Sequence, residues 1–201
     1  MSAPAPTPHE HDRWREVTFA CAMTVEERIA RRLGRTALVG LGVANGVPDG
    51  DRLVSFGIAG ALRGDLPVGT VIDATRVVDE TGSVLWEGGP LGVTPARTGT
   101  ILGAGRIVDD PSERARLHRQ TGADAVDMES GLLARSGRLA GCVRAISDTP
   151  TSKLAGLAEA VKLTGEPDLL GFVRGFLRAP RDTARAVANA RRALRSLEAV
   201  T

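Results

Sequence analysis

Two acidic residues follow apolar stretches at points where strands are expected to end. Glu129 closes the segment Ala125-Val126-Asp127-Met128-Glu129, and Asp148 closes the segment Val143-Arg144-Ala145-Ile146-Ser147-Asp148. In open α/β sheets, ligands bind at the carboxyl ends of the strands. The two strands are therefore expected to present Glu129 and Asp148 at equivalent ends. If the strands are neighbours, both carboxylates face one pocket. One carboxyl group could then exchange a proton with a substrate while the other accepts hydrogen bonds from hydroxyl groups.

A third segment, Ser55-Phe56-Gly57-Ile58-Ala59-Gly60-Ala61, places small residues where backbone amides could approach a ligand closely. Each of the three segments has a structural alternative. Gly57 and Gly60 could form a tight turn. Asp148 could cap the helix that follows it, and Glu129 could stabilise the first turn of a helix through the macrodipole. Taken together, the order and the flanking residues favour a functional interpretation.

The elements that must position these residues are those of an α/β protein. Short runs of β-branched and small apolar residues alternate with amphipathic segments, as in strands that are buried on both faces by helices. The pattern predicts strands at 17–23, 36–43, 52–57, 70–78, 100–103, 125–128 and 143–147. It predicts helices at 25–33, 111–120, 130–136, 154–163, 168–177 and 180–197.

Local signals mark two helix starts and one conflict. Asp110-Pro111 offers a cap followed by a proline in the first turn, and Pro180 opens the last helix in the same way. Only residues 44–51 separate the second and third predicted strands. A parallel crossover with its helix normally needs about a dozen residues or more. Either the strand pairing differs here or a helix is missing.

Composition predicts a single domain. The chain has 201 residues, of which 42% are hydrophobic, which suffices for one core. Residues 1–14 are predicted to be a mobile N-terminal tail and residues 15–201 the domain, with 168–201 a basic helical extension. A net charge of +2 gives no reason to expect nucleic-acid binding.

Other residues with potential chemistry receive structural interpretations. Cys21 and Cys142 lie in apolar runs and are predicted to be buried and inert. His9 and His11 have no third ligand nearby, so no metal site is predicted. No stretch is apolar enough to span a bilayer, and no signal peptide is evident, which predicts a cytoplasmic protein.

Residues 18–163 resemble the superfamily of nucleoside phosphorylases and nucleosidases, which includes methylthioadenosine/S-adenosylhomocysteine nucleosidase and the hexameric purine nucleoside phosphorylases. Met128-Glu129 resembles the ribose-binding Met-Glu signature of that family. Ser147-Asp148 resembles the Ser-Asp signature that carries the purine-protonating acid. The resemblance implies an enzyme without a cofactor, built as a three-layer α/β/α sandwich around a mixed, mostly parallel twisted sheet.

Further site residues follow from the resemblance. Ala22-Met23-Thr24-Val25-Glu26 is similar to the opening segment in which a glutamate activates water in the hydrolytic members, which makes Glu26 a second catalytic candidate. Counting back from Glu129 places Arg106 and Ile107 where the family lines the base, Ile107 through its backbone. The substrate is expected to be a small purine nucleoside, and the protein is expected to be a homo-oligomer.

A narrower resemblance is to the hopanoid-associated phosphorylases, which act on adenosylhopane. It is carried by residues 55–60, by residues 125–130 and by the Arg/Ala-rich tail after Pro167. It implies release of adenine from a hopanoid-linked adenosine. The alternatives are a methylthioadenosine/S-adenosylhomocysteine-type nucleosidase and a nucleoside-binding protein without catalysis.

The nucleophile, phosphate or water, stays open. Ser55 and Ile58 stand where the phosphorylases hold a phosphate-binding arginine and hydroxyl residue, and an isoleucine offers no donor to an anion. Backbone amides near Gly57 and Gly60, or Arg28 or Arg52, are the alternative phosphate contacts. Glu26 favours water.

The last predicted helix is basic and amphipathic. Apolar residues recur at helical spacing, and five arginines cover much of the remaining surface: Arg181, Arg185, Arg191, Arg192 and Arg195. Packing on its own domain or on a second subunit is one interpretation. Peripheral contact with the inner membrane surface, close to a lipid-linked substrate, is the other.

Overall fold

A computed structural model of the protein describes Trp14 and residues 16–152, 164–166 and 179–200. Residues 1–13 and the helices predicted at 154–163 and 168–177 lie outside the described residues. Trp14, the last residue of the predicted tail, is buried, and its ring centre lies 5.5 Å from that of Phe19. The packed domain therefore includes Trp14, and the predicted tail is too long by this residue.

The described residues form eight strands in one mixed sheet. They are β1 (Thr18–Cys21), β2 (Arg35–Leu38), β3 (Leu53–Ala61), β4 (Val71–Val78), β5 (Val84–Glu87), β6 (Arg97–Gly103), β7 (Ala125–Asp127) and β8 (Leu139–Asp148). All seven predicted strands are present with shifted ends. β5 was not predicted, because its short half-exposed sequence lacks the apolar pattern of the buried strands.

Four α-helices and one short 3₁₀ helix accompany the sheet in the described residues. They are α1 (Thr24–Ala30), the 3₁₀ helix (Leu41–Val43), α2 (Pro111–Thr121), α3 (Ser130–Arg135) and α4 (Pro180–Glu198). The predicted cap of α2 is confirmed, since the Asp110 carboxylate accepts a hydrogen bond from the Glu113 amide at 2.8 Å. α2 ends at Gly122, which has a positive φ of 69°.

Strand pairing closes part of the sheet on itself. The order is β2-β1-β3-β7-β6-β4-β5, and β8 joins β3 to β4, so that β3, β7, β6, β4 and β8 form a ring. β1 is parallel to β2 and β3, β3 to β8, and β6 to β4 and β7. β7 is antiparallel to β3, and β4 is antiparallel to β5 and β8. The predicted α/β class with a mixed, mostly parallel sheet is confirmed.

The connection between β2 and β3 resolves the conflict in the sequence pattern. β2 ends at Leu38 rather than at Val43, so the connection comprises residues 39–52. β2 and β3 both pair with β1 in parallel and lie on either side of it. The expectation of an eight-residue connection was wrong because residues 39–43 leave the sheet. The longer segment crosses β1 with only the 3₁₀ helix in place of an α-helix.

Helices cover the ring with separate apolar clusters. α1 and α4 share a cluster with β1, β3 and β8 that includes Phe19 and Phe56, whose rings meet edge to face. α3 belongs to a second cluster and α2 to a third. Residues of α4 buried in the structure are Thr183, Ala186, Ala193 and Leu197. The apolar face of α4 therefore packs on its own domain, and its arginines remain exposed.

One backbone crossing brings α3 against β6 without intervening side chains. A Cβ atom added to Gly103 of β6 would overlap the backbone nitrogen and Cα of Gly131 in α3. A Cβ on Gly131 would lie 3.0 Å from the Gly103 carbonyl oxygen. Because β7 leads directly into α3, this contact also fixes the position of Glu129.

We expect Gly103→Ala to lower the free energy of unfolding by about 1–3 kcal/mol or more, since rigid backbone lies where the methyl group must go. Gly105→Ala is the matched control, because nothing lies within 4 Å of its added Cβ. The control should change stability by less than about 0.5 kcal/mol. Denaturant unfolding of both variants measures the difference, and equal stabilities would contradict the close crossing.

Candidate active site

The predicted site residues converge on one cavity of about 180 Å³. Eight of the nine line it: Glu26, Gly60, Arg106, Ile107, Met128, Glu129, Ser147 and Asp148. Gly57 is the exception. It belongs to β3, where the side chains of Glu26 and Arg144 pack against it.

The two acids meet in a way that differs from the prediction. β7 is antiparallel to β3 and therefore does not present the same end as β8, so the expectation of equivalent strand ends was wrong. β7 instead pairs with the last residues of β3, with Gly60 opposite Val126. A register shift between Ala59 and Gly60 pairs Gly60 with Asp148 on the other side. This irregularity resembles a β-bulge, which commonly redirects a side chain beside a ligand site.

Glu129 is held at the wall of the cavity by contacts to both of its oxygens. The Gly42 amide donates to Oε1 at 3.0 Å, and Arg144 Nη2 lies 3.5 Å from Oε2. The residue is 4% exposed. Burial raises the pKa of Glu129 to about 7, with Arg144 acting against the rise and Asp127 adding to it. Gly42 lies in the connection that replaces a helix, so the sequence offered no signal for this contact.

Arg144 is a site residue that the sequence analysis missed. It is fully buried on β8, with Nη2 2.5 Å from Asp127 Oδ2 and 2.6 Å from Ser55 Oγ. Ser130 Oγ lies 3.2 Å from the same nitrogen. In the described part of the protein, Nε and Nη1 have no hydrogen-bond partner. The signal was an arginine within an apolar run, since a buried charge needs a reason.

Glu26 is fixed by three backbone amides. Ala22 and Met23 donate to Oε2 at 3.1 and 3.0 Å, and Ile58 donates to Oε1 at 2.8 Å. Burial raises the pKa of Glu26, and Arg144 opposes the rise. Gly57 explains the arrangement, because a Cβ there would overlap Glu26 Oε1 and lie 2.6 Å from Arg144 Nη1. Its missing side chain lets both groups approach β3.

Asp148 forms an ion pair with a second buried arginine, which was also missed. Arg114 Nη2 of α2 lies 2.5 Å from Asp148 Oδ2, and both side chains are less than 10% exposed. Ser147 Oγ donates to Asp148 Oδ1 at 2.7 Å. The only signal in the sequence was that Arg114 shares a helix face with Leu117, three residues further along.

Arg106 and Ile107 lie at the rim of the cavity, where both are exposed. Arg106 pairs with Glu113 at 2.7 Å and with Glu80 at 3.2 Å. Met128 is half-buried and lines the wall beside Glu129. These positions agree with the expectation that the segments flank a bound molecule, although their contacts with a base stay predictions.

The residues expected to hold phosphate have other partners. Ser55 contacts Arg144 and Ser130, and the Ile58 amide donates to Glu26. Arg28 and Arg52 are exposed and do not line the cavity. In the described ranges, the positively charged side chains that line the cavity are Arg106 and Arg114. Each of them is already paired with a carboxylate.

Among residues 16–152 and the other described segments, no group of three or more His, Cys, Asp or Glu side chains could hold a metal ion. No described helix has the length and hydropathy to cross a membrane. Cys21 and Cys142 are buried and free, as predicted.

The described fold is similar to that of nucleosidases of known structure. Residues 87–166 match the model of the phosphorylase superfamily. The match confirms that this part of the chain resembles the phosphorylase superfamily. No curated protein sequence matches the chain significantly.

Solved structures with this fold include two nucleosidases and a hydrolase. The 5'-methylthioadenosine/S-adenosyl homocysteine nucleosidase of Campylobacter jejuni is 15% identical with a TM-score of 0.52, covering 92% of this chain and 99% of that chain. The Neisseria meningitidis enzyme bound to methylthio-immucillin-A is 16% identical with a TM-score of 0.52, covering 91% and 97%. Futalosine hydrolase of Helicobacter pylori is 16% identical with a TM-score of 0.50, covering 89% and 98%. At these identities the likeness establishes a shared fold.

We expect the carboxyl group of Glu129 to titrate with a midpoint at about pH 7 in the unliganded protein. The group is protonated below that pH and ionised above it, because burial disfavours the charge. Carbon-13 NMR of protein labelled at glutamate carboxyl groups measures the titration, and Glu129→Gln identifies the signal. A midpoint near the ordinary glutamate value would show that Glu129 is open to water.

Proposed function

We propose that the protein is an enzyme that cleaves the N-glycosidic bond of a purine nucleoside. The observation that carries the proposal is that Glu26, Glu129 and Asp148, from three separate segments, line one cavity. The superfamily match and the shared fold support the same class of reaction.

The charge of the pocket suits this reaction. Breaking a ribose-to-purine bond develops positive charge on the sugar, which fixed negative groups stabilise. Glu129, in its ionised form, would accept hydrogen bonds from the ribose hydroxyls, and Met128 would pack against the sugar. At the other end of the cavity, Asp148 and Arg114 would face the departing base, where negative charge collects.

We infer that water is the nucleophile. Glu26 is held rigidly by three backbone amides, and Arg144 Nη1 approaches the same point of β3. Such a pair can orient a water molecule, with Glu26 as the base. The water oxygen forms the new bond to C1′ and its proton passes to Glu26. The bonding electrons leave with the base, which takes a proton from Asp148, the candidate acid, to become the free purine. Proton transfer through solvent from Glu26 to Asp148 then restores both groups.

The cavity offers fewer suitable contacts to phosphate than to water. An anionic co-substrate needs unpaired cations or free amides, but the Ile58 amide already donates to Glu26 and the lining arginines are paired. The buried carboxylates would also repel an anion. We therefore expect hydrolysis to predominate over phosphorolysis.

For the substrate, we infer adenine release, with hopanoid-linked adenosine suggested by the likeness of residues 55–60 and 125–130 to the hopanoid-associated phosphorylases. A cavity of about 180 Å³ can enclose only the nucleoside end of such a molecule. The exposed arginines of α4 offer an electrostatic contact with an anionic membrane near a lipid-linked substrate. Because the apolar face of α4 is buried, this contact would not involve insertion of the helix.

A methylthioadenosine/S-adenosylhomocysteine-type nucleosidase is the second candidate, favoured because the Ile58 amide and Arg114 already have carboxylate partners and are not free to bind phosphate. A homo-oligomer is expected in either case from the resemblance. A binding protein without catalysis is the remaining alternative, and only an activity measurement separates it from the two enzymes.

The 201-residue chain should release adenine from at least one of adenosine, methylthioadenosine and adenosylhopane, at the same rate with and without phosphate. Glu26→Gln should lower kcat/KM by about 10²- to 10⁴-fold through loss of the base. Glu129→Gln should lower it by about 10²- to 10³-fold through loss of charge stabilisation. Chromatographic detection of adenine measures both effects.

The matched control is Glu87→Gln, an exposed position on β5 that should leave the rate unchanged. A rate that requires phosphate would replace hydrolysis with phosphorolysis. If no nucleoside is cleaved while adenosine still binds, the protein is a nucleoside-binding protein and the proposed function is wrong.

A further inference from the structure

A second depression, the basic groove, lies on the surface where the end of α4 crosses the first residues of β4 and β6. It has a volume of about 530 Å³. The residues that line it are Gly69, Thr70, Val71, Pro95, Ala96, Arg97, Arg192, Arg195, Ser196 and Ala199. It shares no lining residue with the candidate active site, so it is a separate place for a ligand.

Three arginines give the basic groove its charge. Arg192 and Arg195 lie about one turn apart on α4, and Arg97 stands at the start of β6. All three side chains belong to exposed residues. Within the segments that the structure describes, none of the three forms an ion pair with a carboxylate. The groove therefore offers three cations to an anion from solution.

The acidic residues near these arginines do not neutralise them. The pKa of Asp65 is lowered, first by hydrogen bonds from Arg63 and to a smaller extent by the charge of Arg97. Arg63 holds Asp65 through two hydrogen bonds of 2.6 Å, one to each carboxylate oxygen. Glu198 follows Arg195 on α4 but does not line the groove. The positive charge thus stays open to solvent.

Gly69 brings α4 close to the base of the groove. Its φ of 89° lies in the left-handed region that favours glycine. A Cβ atom there would lie 3.0 Å from Ser196 Oγ and 3.4 Å from Arg192 Cγ. Because position 69 has no side chain, the aliphatic part of Arg192 can lie against the backbone while the residue stays exposed.

β8 holds the base of the groove in place. The Gly69 amide donates to the Ile146 carbonyl oxygen at 2.8 Å, and the Ile146 amide donates to the Thr70 carbonyl oxygen at 2.9 Å. Ile146 is fully buried in the sheet. The groove is therefore formed before a ligand arrives, which lowers the entropic cost of binding.

We propose that the basic groove binds a phosphate ester, with Arg97, Arg192 and Arg195 as its cationic contacts. Guanidinium groups make charge-assisted hydrogen bonds to phosphate oxygens, often two at a time. Inorganic phosphate alone would leave most of the groove unfilled, and Pro95 and Ala96 add apolar surface for the carbon part of an ester. A soluble metabolite and the headgroup of an anionic lipid both present this group.

Calorimetry with the 201-residue chain measures the binding of glycerol 3-phosphate, which carries neither a purine nor a ribose. We expect saturable binding that weakens with added salt, because salt screens exposed charges. Uncharged glycerol should not bind. Arg97→Gln and Arg192→Gln should each weaken binding by about three- to tenfold, since each removes one charge-assisted contact at an exposed position.

Arg191→Gln is the matched control. Arg191 precedes Arg192 on α4 and is exposed, but it does not line the groove. This variant should bind glycerol 3-phosphate as the unmodified chain does. Equal losses of affinity in Arg191→Gln and Arg192→Gln would show a general attraction to a basic surface and would overturn the proposed site.

Amide NMR of isotope-labelled protein locates the bound ester. The signals of Gly69 and Arg97 should move as glycerol 3-phosphate is added. Those of Gly42 and Gly60, beside the active-site cavity, should stay in place. Movement of the Gly42 and Gly60 signals alone would put the phosphate in the active site and contradict the proposal.

Sedimentation with phosphatidylcholine vesicles, with and without phosphatidylglycerol, separates the two sources of the ester. Binding that requires phosphatidylglycerol, is lost in Arg97→Gln and Arg192→Gln and is kept in Arg191→Gln would support the site with a lipid headgroup as its ligand. Binding of glycerol 3-phosphate without vesicle binding would support it with a soluble ester. Binding of neither would overturn it, whether or not a nucleoside is cleaved.

Discussion

The buried guanidinium of Arg144 is the interaction on which the pocket depends. It joins β8 to Asp127 of β7 and to Ser55 of β3, and it reaches Glu129. A buried arginine without counter-charges is very unfavourable, and so is a buried carboxylate without a cation. Each group is therefore tolerable only because the others are present. The position of the sugar-binding candidate Glu129 is set by this charge network as much as by its own strand.

The network does not neutralise the pocket. Among the described residues, the buried carboxylates that border the cavity are Glu26, Asp127, Glu129 and Asp148, against the two buried arginines Arg114 and Arg144. Burial raises the pKa values of Glu26 and Glu129, and Asp127 adds to the rise at Glu129. The resulting pocket suits a ligand that becomes cationic at its centre. It is poorly suited to an anion, which supports the proposal that water is the acceptor.

Glycines, which have no side chain, are as important to the site as the charged residues. Gly57 leaves room for Glu26 and Arg144, and Gly60 for Asp148 and Arg114. Gly103 allows α3 to approach β6, which fixes the turn that carries Glu129. The connection of residues 39–52 has no α-helix, yet its Gly42 amide donates to Glu129. The connection that conflicted with the predicted crossover helix therefore helps to hold Glu129 at the wall of the pocket.

The sequence by itself determined the α/β class, seven of the strands, the cap of α2, the proline that opens α4, and the two acidic segments, because these depend on local periodicity and on short motifs. It could not show that β7 is antiparallel to β8, since strand direction depends on which strands pair across the ring. Arg114 and Arg144 were missed for a related reason. The role of a buried arginine depends on the carboxylate with which it pairs. Arg114 pairs with Asp148 and Arg144 with Asp127, and each partner comes from another element. Only the tertiary structure decided those partners, because ion pairs and close backbone contacts form between segments that are distant in the chain.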